Sequence, residues 1–110
     1  TFVEPGCEFS GDQGALLAEA ASVDESTTFV FIHSGATPEA FKGFAEEFGL
    51  LQSNVVHLDD GSRALSRRFG VIAYPSTLLI DGSGKMSSTR GALNNDRLAQ
   101  ALSIVKRGSD

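Results

Sequence analysis

The apolar positions of this chain alternate between two spacings, one suited to strands and one to helices. Thr27-Thr28-Phe29-Val30-Phe31-Ile32-His33 is β-branched and aromatic without a polar alternation. Such a run predicts a central strand covered on both faces, as parallel sheets require. Ser34-Gly35-Ala36 breaks it. Thr37 then caps a helix with Pro38 at its first position, where a missing N–H costs nothing, and Glu39 complements the helix dipole. Phe41, Phe44, Ala45 and Phe48 recur at helical spacing and define a buried face, with Lys42, Glu46 and Glu47 opposite. Gly49 is the stop signal.

The remaining segments follow the same logic. Residues 1–10 (TFVEPGCEFS) mix apolar residues with Pro5 and Gly6 and predict at most a short edge strand. Ser10-Gly11-Asp12-Gln13 has the form of a capping box, and Ala15 to Ala21 has high helix propensity, so a helix is expected over about 12–22. Val55-Val56-His57-Leu58-Asp59 is a second strand, Asp60-Gly61 a turn, and Ala64 to Phe69 a short helix ended by Gly70. Ser76 to Asp81 is a third strand. Gly82-Ser83-Gly84 turns it tightly into an edge strand over Lys85–Arg90. Asn94 or Asn95 caps a last helix with Leu98, Ala101, Leu102 and Val105 on one face. The order (β)αβαβαββα predicts an α/β fold in which helices flank a central mixed sheet.

Composition narrows the function classes. At 110 residues a single domain over 1–110 is expected. The net charge is −5, and no Lys/Arg cluster exceeds two residues, which argues against nucleic acid as the main partner. No run approaches the roughly 18 apolar residues of a membrane span. The start at Thr1, without Met, fits a processed or excised piece, so the lack of a signal or anchor segment decides nothing. Cys7, alone of its type, supplies neither an intramolecular disulfide nor a Cys-rich zinc site.

The segment Phe69-Gly70-Val71-Ile72-Ala73-Tyr74-Pro75-Ser76-Thr77-Leu78-Leu79-Ile80-Asp81-Gly82-Ser83-Gly84-Lys85, followed by Arg90-Gly91, resembles the thioredoxin superfamily, in particular its TlpA-like and MauD-like thiol–disulfide branch. The resemblance spans about residues 27–105, with 1–26 as a poorly matched N-terminal extension. It implies a thioredoxin fold, a cis bond before Pro75, and a loop facing that proline which in the family carries Cys-x-x-Cys. Aligned in this way, Thr37-Pro38-Glu39-Ala40 stands where the dithiol would be, Ala36 replaces the preceding aromatic, and Phe31 replaces a buried acid. A Thr hydroxyl and an Ala methyl form no disulfide, so dithiol exchange is not expected there. Thr37-Pro38 also resembles the start of the corresponding peroxiredoxin helix, with Ala40 in place of the peroxidatic cysteine.

These residues leave three hypotheses. The first is a redox-inactive binding or accessory module that holds a protein or extended peptide by strand addition. Its groove would be Gly35, Ala36, Thr37, Pro38, Tyr74 and Pro75, with His33 close behind. The second is a monothiol oxidoreductase or peroxide-handling enzyme using Cys7, which otherwise reads as a small hydrophobe near an edge strand or a lipid attachment point. The third is a structural or oligomerising domain. His33 reads as a polar strand-end residue, with His57 pointing elsewhere, so no metal centre or cofactor is expected. An extracytoplasmic, periplasmic location follows from the resemblance alone.

Overall fold

The computed structural model describes residues 1–107; residues 108–110 of the expected domain lie outside the described residues. The elements in chain order are β1 (Phe2–Val3), α1 (Glu8–Val23), β2 (Phe29–Ser34), α2 (Pro38–Glu47), β3 (Val55–Asp60), α3 (Ala64–Arg68), β4 (Ser76–Ile80), β5 (Met86–Arg90) and α4 (Asn95–Val105). They form one five-stranded mixed sheet in the order β3-β2-β1-β4-β5. β2 runs parallel to β1 and to β3, and β4 runs antiparallel to β1 and to β5.

The first correction concerns β1. Residues 1–10 were expected to hold an edge strand, yet Phe2 and Val3 form the middle strand of the sheet. Phe2 pairs with Ile32 on one side and Ser76 on the other. Both side chains are fully buried, which a segment of only two residues conceals from any reading by periodicity. Within the sheet, β1 lies between the β2–β3 pair and the β4–β5 hairpin.

α1 is longer than expected and starts earlier, at Glu8 rather than near residue 12. Ser10 is not its cap. Cys7 holds the N-cap position in an extended conformation, with no side-chain cap bond, while the Ser10 hydroxyl, fully buried, accepts from the Glu4 N–H at 3.1 Å. α2 follows the sequence closely. Thr37 is its N-cap and accepts from the Ala40 N–H at 3.2 Å, and Pro38 opens the first turn.

The core lies between the sheet and these two helices. Phe31 meets Phe44 with ring centroids 6.2 Å apart, and Phe44 meets Phe48 at 4.9 Å. α1 comes so close that a Cβ on Gly14 would stand 2.9 Å from the Phe44 ring, and one on Gly11 2.8 Å from that of Phe48. The stripe of phenylalanines is therefore packing, with Phe44 almost wholly buried. Burial of such a ring stabilises the fold by about 1.5–3 kcal/mol. Gln13, on α1, is also buried. It donates to the Leu93 carbonyl at 3.2 Å and accepts from the Leu93 N–H at 2.6 Å, tying α1 to the loop before α4. Asn94 caps α4 by accepting from the Arg97 N–H, as its position in the sequence suggested.

Candidate thiol site at the start of the first helix

The chain leaves β1 through Glu4-Pro5-Gly6-Cys7. The Cys7 N–H donates to the Glu4 carbonyl at 3.0 Å, and Gly6 has φ +96°. Proline followed by a glycine of positive φ, closed by such a bond, is the pattern of a type II turn. No side chain with a Cβ takes that φ without strain. The turn delivers Cys7, half-buried, to the start of α1. The first N–H groups of a helix lack intrahelical acceptors, and their partial positive charge favours an anion at that end. Cys7 also borders a groove of about 570 Å³ between α1 and α2, opposite Ala40 and Glu39.

On the other side of β1 stands the Tyr74–Pro75 peptide bond, which is cis, directly before β4. Phe2 pairs with Ser76 antiparallel, so the chain running on from β1 passes Pro75 and then Tyr74. This geometry corrects the assignment of the dithiol position. The loop facing Pro75 is the one that follows β1, because β2 is separated from β4 by a whole strand. Thr37-Pro38-Glu39-Ala40 belongs to the next strand–helix unit along. The residue that opens the helix after this loop is Cys7, and three residues on stands Ser10. Cys7 thus follows the central strand rather than an edge strand.

The expected groove residues divide accordingly. Pro75 is buried and Tyr74 half-buried beside the Cys7 turn. Gly35 is brought to Tyr74 indirectly, since both lie against the Arg63 guanidinium. Thr37 and Pro38 are exposed at the tip of α2, with Ala36 half-buried before them. His33 does not reach the surface at all. Two residues that sequence reasoning missed, Glu4 and Arg63, connect the Cys7 turn to Tyr74: Arg63 Nη2 donates to Glu4 Oε2 at 2.8 Å, and Nη1 donates to the Tyr74 hydroxyl at 3.2 Å. Pro5-Gly6 ahead of a cysteine was a legible turn signal. Nothing in the local sequence marked Arg63.

His33 and His57 were expected to point apart, and they do not. Their facing nitrogens, His33 Nε2 and His57 Nδ1, are 2.8 Å apart, and His57 Nε2 lies 2.7 Å from the Leu50 carbonyl. The carbonyl only accepts, so a neutral His57 carries its proton on Nε2 and accepts on Nδ1. His33 then donates from Nε2, leaving its buried Nδ1 as an acceptor without a hydrogen-bond partner. Burial, and next the neighbouring His57, lower the His33 pKa to about 4, with Asp59 opposing. His33 stacks on Phe41 at 5.0 Å and meets the edge of Phe44, so it acts as an aromatic core residue. Among the described residues, no three His, Cys, Asp or Glu side chains gather in a set able to hold a metal ion.

The architecture matches solved structures across nearly its whole length. The structure of MTB DsbF in its mixed oxidised and reduced forms superposes with a TM-score of 0.86 at 20% identity, covering 96% of this chain and 77% of that one. The chain has the thioredoxin fold. A secreted Mycobacterium tuberculosis disulfide oxidoreductase homologous to E. coli DsbE superposes with a TM-score of 0.81 at 23% identity, covering 93% of this chain and 76% of the other. No family model matches the chain, and no curated protein does either. Among the described residues, no helix of this thioredoxin fold is long and apolar enough to cross a membrane.

Proposed function

We propose that this domain is a monothiol thiol–disulfide exchange protein in which Cys7 is the only nucleophile. The observation that carries the reading is topological. Cys7 opens the helix that follows β1, the strand between β2 and β4, and the first residue of β4 follows cis-Pro75. The two matched proteins named above as DsbF and a disulfide oxidoreductase lend support through fold alone.

In the exchange, the Cys7 thiolate attacks a substrate disulfide. A bond forms between Cys7 Sγ and one substrate sulfur as the substrate S–S bond breaks, and the electron pair leaves on the other sulfur. In a dithiol protein the second cysteine would then expel the bound half. Ser10 is a buried hydroxyl engaged with the Glu4 N–H, so the mixed disulfide waits for an external thiol, from a small thiol compound or another protein. Attack by that thiol makes the new disulfide and returns Cys7 as thiolate, with no net change in its oxidation state. The substrate is an extended peptide segment, aligned by the backbone of Tyr74. Phe9, 64% exposed, and Ile72, 78% exposed, stand two residues after Cys7 and three before Pro75, offering apolar contact along such a segment. The disulfide chemistry fits a place outside the cytoplasm.

The test is trapping. Incubation with a disulfide-containing peptide should give a mixed disulfide of one peptide per chain, visible by mass and released by added thiol. Cys7→Ser should give none. Failure of the wild-type chain to form the adduct would leave the fold as a binding module without exchange chemistry.

A further inference from the structure

Arg63 is the one residue other than glycine with positive φ among the described residues, at φ 63°. A β-carbon is disfavoured in that region, and strained backbone persists where its surroundings over-determine it. Here they do. The Arg63 N–H donates to the Asp60 carbonyl at 2.9 Å, and its own carbonyl accepts from the Ser66 hydroxyl at 3.1 Å. The Asp60 carboxylate in turn holds the following turn, accepting from the N–H groups of Leu65 and Ser66 and from the Ser34 hydroxyl. Asp60 is 3% exposed; burial pushes its pKa up, but these bonds outweigh that and hold it below the usual carboxylate range.

What this anchoring aims is a guanidinium. It lies over Gly35, where a Cβ would collide with it, and 5.7 Å from the centre of the Tyr74 ring. One nitrogen binds Glu4, the residue whose carbonyl closes the turn onto Cys7, and another binds Tyr74, the residue before Pro75. Both partners of the Arg63–Glu4 pair are 41% exposed, and ion pairs so open to water add little to global stability. A strained backbone supporting a weak surface pair makes no sense as a stability device. It makes sense as a device for setting a distance.

We infer that Arg63 is a positioning residue: its guanidinium ties the Cys7 turn to the Tyr74–Pro75 loop and fixes the gap across which a peptide disulfide is presented to the thiol. The inference rests on the exchange reading above and adds to it the part that aligns the substrate. Lys would not replace Arg, because one ammonium on a flexible stem does not span two acceptors as the planar fork does.

The experiment compares two disulfides on the same purified protein. One is an extended peptide with a disulfide, which needs both loops. The other is 4,4′-dithiodipyridine, a small reagent that needs only access to the sulfur. Arg63→Ala and Arg63→Lys should each slow reaction with the peptide by about tenfold or more, since sub-ångström misplacement of reacting groups is worth factors of this order. The reaction with the small reagent should stay within about twofold of wild type for both variants. Glu4→Ala breaks the same bridge from its other end, so the test survives if an Arg63 variant folds poorly. Combined with Arg63→Ala, it should slow the peptide reaction no further. Peptide exchange at the wild-type rate in Arg63→Ala removes the role of Arg63 alone, as does equal slowing with both reagents. Absence of peptide exchange in the wild-type protein removes the exchange reading and this one together.

Discussion

Two strand–turn–helix units lie side by side in this molecule, and the better built of the two is not the candidate site. The β2–α2 unit has every local mark of a designed helix start: Thr37 accepts from the Ala40 N–H, Pro38 fills the first position, and Glu39 follows in the first turn. The β1–α1 unit has a two-residue strand and an N-cap, Cys7, whose side chain makes no capping bond. A cap that satisfies its own helix leaves little for a ligand. A cap that does not leaves its first N–H groups, and the charge they carry, free for chemistry. Position in the sheet then decides. β1 adjoins β4 and its cis-proline, and β2 does not.

The largest expected effect sets the two helix starts against each other directly. Ser10→Cys completes Cys-x-x-Cys at the start of α1. It should yield a protein that forms an internal disulfide under mild oxidation and reduces insulin in the presence of dithiothreitol, a gain from essentially none. The double variant Thr37→Cys with Ala40→Cys writes the same motif at the start of α2. Away from Pro75 it should leave insulin turbidity at the background rate. Turbidity from the second variant and none from the first would reverse the assignment of the two units.

A smaller effect separates the units by pH. His33 ends the buried face of β2 beneath Phe41 and Phe44, and its pKa is lowered to about 4 by burial and then by His57. The unfolded imidazole takes a proton near the ordinary value of about 6.5. Between these values the unfolded state binds more protons, so stability is full above about pH 6.5 and falls as the pH drops towards 4, by up to about 3 kcal/mol. Urea midpoints at pH 7 and pH 4.5 measure it. His33→Phe keeps an aromatic ring against Phe41 and should flatten this acid slope. An unchanged slope would mean that carboxylates, not the histidine pair, govern it.

Most of the fold was legible in the sequence because most elements announce themselves locally. The apolar run over 29–32, the Phe44 and Phe48 spacing, the Thr37 and Asn94 caps and the Gly82-Ser83-Gly84 turn all lie where their residue types place them. The site was less legible for a physical reason. A central strand of two residues carries no period, so Phe2 and Val3 looked like a frayed edge, and the more conspicuous β2 took the place that belongs to β1. With that shift, the thiol position moved to Thr37. The type II turn at Pro5-Gly6 was the available signal against it, since it delivers a cysteine to a helix start. The Arg63 bridge, by contrast, joins residues 59 positions apart in the chain, and no local rule could have found it.

The smallest effect is the most pointed, because it separates stability from chemistry at equivalent positions. Thr37→Ala removes a side-chain acceptor from the start of α2 and should destabilise the fold by about 1 kcal/mol, read as a lower urea midpoint, with peptide trapping unchanged. Cys7→Ala removes a side chain that makes no cap bond, so its midpoint should shift by less than that of Thr37→Ala, while trapping is lost. If instead Cys7→Ala is the more destabilising of the pair, the thiol is a packing group at the base of α1, and the free helix start has no occupant to explain it.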